Sequence, residues 1–223
     1  MKQLRSIYNY TALFLFLCVA FSCKNAGTVE DIDGNIYHTT RIGNQTWMVE
    51  NLKVTRFNNG DSVKYLKSNN DWKQEKQAGY SFYNNDIALV KDYGFLYNYN
   101  CLQDIRGIAP KGWRIPTEDD LRELESFIKS NSAGIFLKEK GNSHWLTSNV
   151  IGNNATRFTA LPGGYRDEEG SFYMLKSNGY YWTKTGSFEF YHWSSRMFQA
   201  FADVRRDSIF KKYGFSVKCI KQE

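Results

Sequence analysis

Residues 107–128 read GIAPKGWRIPTEDDLRELESFI, and this stretch decides the fold. Pro116 ends an extended segment, and Thr117 stands where it can cap a helix together with Asp120. Glu118, Asp119 and Asp120 then fill the first turn, where negative charge suits the positive end of the helix dipole. Leu121, Leu124, Phe127 and Ile128 recur at helical spacing, so the pattern predicts a helix over 117–129. Its apolar stripe should face a core while Arg122, Glu123 and Lys129 face water. Ahead of it, Pro110, Gly112 and Trp113 describe a turn and a short extended piece whose indole anchors the helix.

Outward from the helix the chain reads as strands. Asp33-Gly34-Asn35 signals a tight turn, Ile36–Ile42 alternates apolar with polar, Gly43-Asn44 turns again, and Thr46–Phe57 continues as a strand carrying Trp47 and Leu52. Asp31, Asp33 and Asn35 have the spacing that begins a calcium loop, but no Glu follows at its closing position, and a turn is the reading adopted. Residues 58–77 are polar, without pattern, and read as a surface insertion. Residues 78–100 are rich in Tyr, with a short helix expected over 86–91. Gly163 and Gly164 suggest backbone that a side chain would obstruct. Strands are expected at 179–183, 188–194 and 213–220, the last closing a sheet. Aromatic residues make up 17% of the chain against only three prolines, which suits a strand-rich domain.

At the other end, Lys2 and Arg5 precede an apolar run, Ala12–Phe21, too short to span a bilayer, followed by Ser22 and Cys23. This reads as a signal peptide over 1–22 ending in a relaxed lipobox, with Cys23 acylated, a tether over 23–28 and one domain over 29–223. Losing Lys2 and Arg5 takes the formal charge from +6 to about +4. So modest a charge on an envelope protein argues against nucleic acid as a partner. The expected address is the outer membrane, on either face.

With these pieces in order, the chain resembles the Fibrobacter succinogenes major paralogous domain family, found in secreted proteins and lipoproteins of Bacteroidota. The resemblance is carried by DIDGNIYHTTRIGNQTWMVENLK (31–53), YGFLYN (93–98), PKGWRIPT (110–117), ALPGGYR (160–166) and YGFSVKCIK (213–221). Leu121, Asn98, Tyr99 and Cys101 depart from the usual pattern. The resemblance implies an α+β, C-type lectin-like fold: twisted antiparallel sheets, one main helix near 117–129 and long loops. It also implies a disulfide between Cys101, shortly before the helix, and Cys219 on the last strand.

Catalytic constellations do not assemble in the sequence. His38, His144 and His192 lack metal-ligand spacing, no CxxC or GxSxG occurs, and the calcium motifs of sugar-binding C-type lectins are missing. No enzyme activity, cofactor or metal is therefore expected. The expected function is a lipid-anchored envelope module that binds glycan or protein, the alternative being a structural or accessory subunit with no small ligand. Arg166, Asp167, Tyr181, Trp182 and Trp193 are the ligand-binding candidates, because Trp and Tyr stack on sugars while Arg and Asp hydrogen-bond.

Overall fold

The computed structural model describes residues 27–186 and 191–223, with the backbone alone for Tyr191, His192, Trp193 and Phe198. The expected signal peptide, Cys23 and most of the tether lie outside the described residues. Strands run in chain order β1 (Thr28–Glu30), β2 (Ile36–Ile42), β3 (Gln45–Met48), β4 (Lys64–Tyr65), β5 (Gly79–Ser81), β6 (Leu96–Tyr97) and β7 (Trp113–Arg114). They continue as β8 (Gly163–Arg166), β9 (Phe172–Leu175), β10 (Asn178–Gly186), β11 (Tyr191–Phe198), β12 (Val204–Phe210) and β13 (Ile220–Lys221). The α-helices are α1 (Asn69–Gln74), α2 (Val90–Tyr93), α3 (Tyr99–Gln103), α4 (Glu118–Ile128) and α5 (Ala133–Leu137). No described helix is long and apolar enough to cross a membrane.

The described strands form three sheets, ordered β1-β2-β3-β13-β7, β12-β11-β10-β8-β9 and β4-β5-β6. Most pairs are antiparallel; β8–β10 and β4–β5 are parallel. This mostly-β architecture with one principal helix matches the strand-rich reading of the sequence and the α+β class that the resemblance implies. The C-terminal segment stitches the sheets together: Phe215 bridges Tyr97, Gly214 bridges Arg166, Ser216 bridges Tyr181, and Ile220 pairs with Trp47 and Arg114.

Helix α4 forms as its caps dictate. Asp120 N–H donates to Thr117 Oγ1 at 3.3 Å, and Thr117 N–H donates back to the Asp120 carboxylate at 2.6 Å. Arg114 grips the same carboxylate with both terminal nitrogens, and Gln45 Nε2 donates to the Asp120 carbonyl at 3.0 Å, fixing the helix to β7 and β3. Leu121 and Leu124 enter a core with Trp47, Phe158 and Trp145. Phe127 does not follow them and remains 56% exposed.

Strand β10 separates two cores. Trp182 faces the one containing Tyr97, Tyr99 and Phe215, and its neighbour Tyr181 faces the one containing Trp47 and Phe158. All residues from Asn178 to Thr183 are buried. The segment 58–77, expected as a featureless insertion, instead supplies β4, α1 and three buried anchors, Val63, Leu66 and Trp72. Gly164, at φ +64°, needs its missing side chain: a Cβ there would lie 2.3 Å from the Tyr173 carbonyl oxygen.

The expected Cys101–Cys219 disulfide is not formed. Both cysteines are free thiols buried in the same core. The Cys101 thiol donates to the Gly79 carbonyl at 3.2 Å, and burial pushes both thiols well above their ordinary pKa. A thiol at Cys101 thus meets the packing and hydrogen-bonding needs of its position without a crosslink.

Candidate functional site

The residues singled out in the sequence do not meet on a surface. Arg166 is fully buried, its guanidinium held between the rings of Trp72 and Phe172, each 4.7 Å away. It donates to the carbonyls of Leu66, Ser68 and Gly170, the last at 2.9 Å. Desolvation lowers its pKa to about 10. Tyr181 keeps its hydroxyl on the backbone of Leu161, and Trp182 Nε1 donates to the Tyr97 carbonyl at 2.8 Å. Asp167 closes a turn by accepting from Ser171 N–H at 2.8 Å. Arg166, Tyr181 and Trp182 are structural, because β8 and β10 lie in the interior, and Asp167 is half-buried in the turn that follows β8. The Trp193 side chain lies outside the described residues.

An open cleft of about 830 Å³ does exist, and it sits beside the principal helix. One wall is β2 with its turn, from Thr39 to Gly43, together with Thr46 of β3; the opposite wall is Phe127 and Ile128 at the end of α4, Phe136 of α5, and the loop 155–157. The walls are tied together across the floor. Thr40 Oγ1 donates to the Thr156 carbonyl at 3.1 Å, and Thr156 Oγ1 donates to the Phe136 carbonyl at 2.8 Å.

Gly43 explains the position of Phe127. The turn needs φ +61° there, and a Cβ on Gly43 would lie 2.9 Å from Phe127 Cδ2. The ring therefore rests on bare backbone at the β2–β3 turn while staying largely open to solvent. Arg41, opposite Thr46 in the ladder, lies on the exposed face of β2, and its Nε donates to the Gly43 carbonyl at 3.1 Å. Arg157 is exposed and has φ +59°, a conformation rare for a bulky residue. The loop holds it there: Arg157 N–H donates to the Asn154 carbonyl at 2.9 Å, and the Asn154 amide brackets Thr159 through two hydrogen bonds.

The cleft is lined by hydroxyls, apolar rings and two guanidinium groups, and by no carboxylate, imidazole or thiol. Elsewhere, His144 Nδ1 is 2.7 Å from Glu139 and Nε2 is 3.7 Å from Asp92, while His38 Nδ1 is 2.7 Å from Glu50. The acidic turn near the N-terminus is satisfied internally. Asp31 accepts from Asp33 N–H, Asn35 N–H and the Tyr37 hydroxyl, and Asp33 holds Thr55 and Arg56. Among the described residues no three His, Cys, Asp or Glu side chains stand close enough to share a metal ion.

Sequence reasoning missed Arg41, Phe127 and Arg157. A signal was present for the arginines: neither has an acidic residue within seven positions, whereas Arg106, Arg114, Arg122 and Arg205 each have one nearby. Phe127 gave no such signal, since its spacing matched the buried stripe.

No curated protein and no solved structure matches the chain. The family model described as the Fibrobacter succinogenes major domain matches residues 40–221, a span that takes in α4, every strand from β3 to β13 and all of the cleft wall except Thr39. The chain belongs to the Fibrobacter succinogenes major domain family.

Proposed function

We propose that this protein is a non-catalytic binding module of the cell envelope, lipid-anchored at Cys23, with a C-type lectin-like fold, and that it holds a glycan in the cleft beside α4. The observation that carries the reading is the cleft's lining. It combines a half-exposed phenyl ring and several threonine hydroxyls in a volume of about 830 Å³, within the range that encloses small ligands. Pyranose rings present C–H faces that pack on aromatic rings and hydroxyls that exchange hydrogen bonds with polar side chains. General acid–base and nucleophilic chemistry need a positioned titratable pair, and the lining offers none. The short, curled antiparallel sheets joined by long connections around one main helix support the finer fold assignment.

The test is retention on a panel of immobilised envelope and extracellular polysaccharides, comparing the wild-type protein with Phe127→Ala. Retention on at least one polysaccharide, lost in the variant, is the expected result. Retention on none, or turnover of any of them, would refute the reading. Mass spectrometry of the membrane-extracted protein, alkylated without reduction, checks the cysteines in one measurement. Cys101 and Cys219 should both carry the alkyl label and Cys23 should carry acyl chains; a linked Cys101–Cys219 peptide or an unacylated Cys23 would contradict these assignments.

A further inference from the structure

We propose that the ligand of this cleft is an acidic saccharide, presenting a carboxylate or phosphate to Arg41 and Arg157 beside the Phe127 ring. The proposal deepens the binding reading above and rests on it. Most arginines in this protein are matched to carboxylates: Arg56 to Asp33, Arg106 to Asp104 and Asp61, Arg114 to Asp120, and Arg206 to Glu118 and Glu125. Arg166 is satisfied by backbone carbonyls. Arg41 and Arg157 have no carboxylate partner among the described residues, and they line the same cleft.

Their setting suits a fixed anion site. Each guanidinium is a planar fork whose terminal nitrogens fit carboxylate or phosphate oxygens in pairs, those of Arg41 in addition to the Nε that holds the Gly43 carbonyl. No acidic residue lines this cleft, and the carboxylates of Asp120, Glu123 and Glu223 line a separate adjoining cleft that Arg41 also borders. Both are carried on backbone that is already organised. Arg41 sits in the β2–β3 ladder, and Arg157 sits in a loop whose left-handed residues Asn154, Arg157 and Thr159 are bound to one another by hydrogen bonds. Little backbone ordering is left to be done on binding, and the cost that remains is that of fixing the two exposed side chains. A neutral sugar would use the ring and the hydroxyls but leave both forks hydrated. An acidic peptide would answer the charge but not the mixture of phenyl ring and threonine hydroxyls that a pyranose fills.

The experiment is titration calorimetry on the full mature protein with four probes: a galacturonate trimer, its methyl ester, glucose 1-phosphate and a glutamate trimer. Each is run against wild type, Arg41→Gln, Arg157→Gln and Phe127→Ala. Both arginines are exposed and free of ion pairs, so the variants should fold, and circular dichroism checks this. The expected result is binding of an anionic sugar that each Arg→Gln change weakens about tenfold or more. Raised salt should weaken wild-type binding, and the ester should bind no better to wild type than to the variants. Binding of the galacturonate trimer alone identifies carboxylate as the anion, and binding of glucose 1-phosphate alone identifies phosphate. If the methyl ester binds as well as the acid and only Phe127→Ala abolishes it, the cleft binds sugar but the acidic class is wrong. If the glutamate trimer binds and no sugar does, or if nothing binds, the acidic-saccharide proposal falls.

Discussion

Arg166→Met should lower the stability of the folded protein by about 3–5 kcal/mol, because three buried carbonyls lose their donor at about 1–3 kcal/mol each while the removed charge no longer has to be desolvated. At this chain length that corresponds to a drop in melting temperature of about 10 °C. The guanidinium is the common partner of carbonyls from two distant segments, Leu66 and Ser68 on one side and Gly170 on the other. Methionine would fill much of the slot between Trp72 and Phe172 but donate nothing, leaving those acceptors buried and unpaired. Trp72 in turn hydrogen-bonds the Lys212 carbonyl at 3.0 Å, so loosening α1 would also loosen the approach to the C-terminal strand. Thermal unfolding of the variant reads the effect. A change in melting temperature of only one or two degrees would show that Arg166 is not the clasp described, and would return it to the surface candidates.

The principal helix was legible because its information is local. A capping Thr, its reciprocal Asp120 and a run of first-turn acids act within one turn, and no distant packing can move them. The turn at Asp31–Asn35 was legible for the same reason. The candidate site was misplaced because burial is not local. GYYWT reads as a strand, but nothing within it says which faces are covered; β10 is flanked by β8 and β11 and covered on both sides, so Tyr181 and Trp182 go to opposite cores. Arg166 misled in the same way, since a charged residue is buried only when acceptors gather round it, and here they come from 100 residues away in sequence. Phe127 erred in the other direction. Its helical spacing matched Leu121 and Leu124, but the last turn of α4 runs past the core to the Gly43 turn, where the ring caps a hairpin and forms a cleft wall. Cys101 was paired with Cys219 by family topology, and neither packing nor hydrogen bonding at Cys101 requires the bond.

Lys218 should make the protein more stable as pH rises above neutrality, and Lys218→Met should remove that dependence. The ammonium is buried, on the segment leading into β13, donating to the Val49 carbonyl and lying 5.1 Å from the Phe158 ring centroid. Desolvation dominates and lowers its pKa from 10.5 to about 7, with the Glu50 carboxylate acting weakly in the opposite sense. The unfolded chain therefore binds more protons than the folded one between about pH 7 and pH 10.5, and unfolding free energy rises with pH across that window. Below pH 7 both states are charged and the folded protein bears the full cost of the buried cation. Buried tyrosines and thiols with raised pKa, such as Tyr97 and Cys219, act the other way once their unfolded counterparts ionise near pH 9 and 10, so the clean interval is pH 7 to 9. Methionine matches the lysine stem, and replacing a buried charge with an apolar group is often stabilising. The variant should then be the more stable protein at pH 6, its advantage shrinking by about 2 kcal/mol between pH 7 and 9, since each unit of protonation difference carries about 1.4 kcal/mol per pH unit. Urea unfolding of both proteins at four pH values measures the difference directly. A gap that stays constant from pH 6 to 9 would mean that Lys218 keeps its proton in the folded state, and would overturn the assignment of a neutral amine in this core.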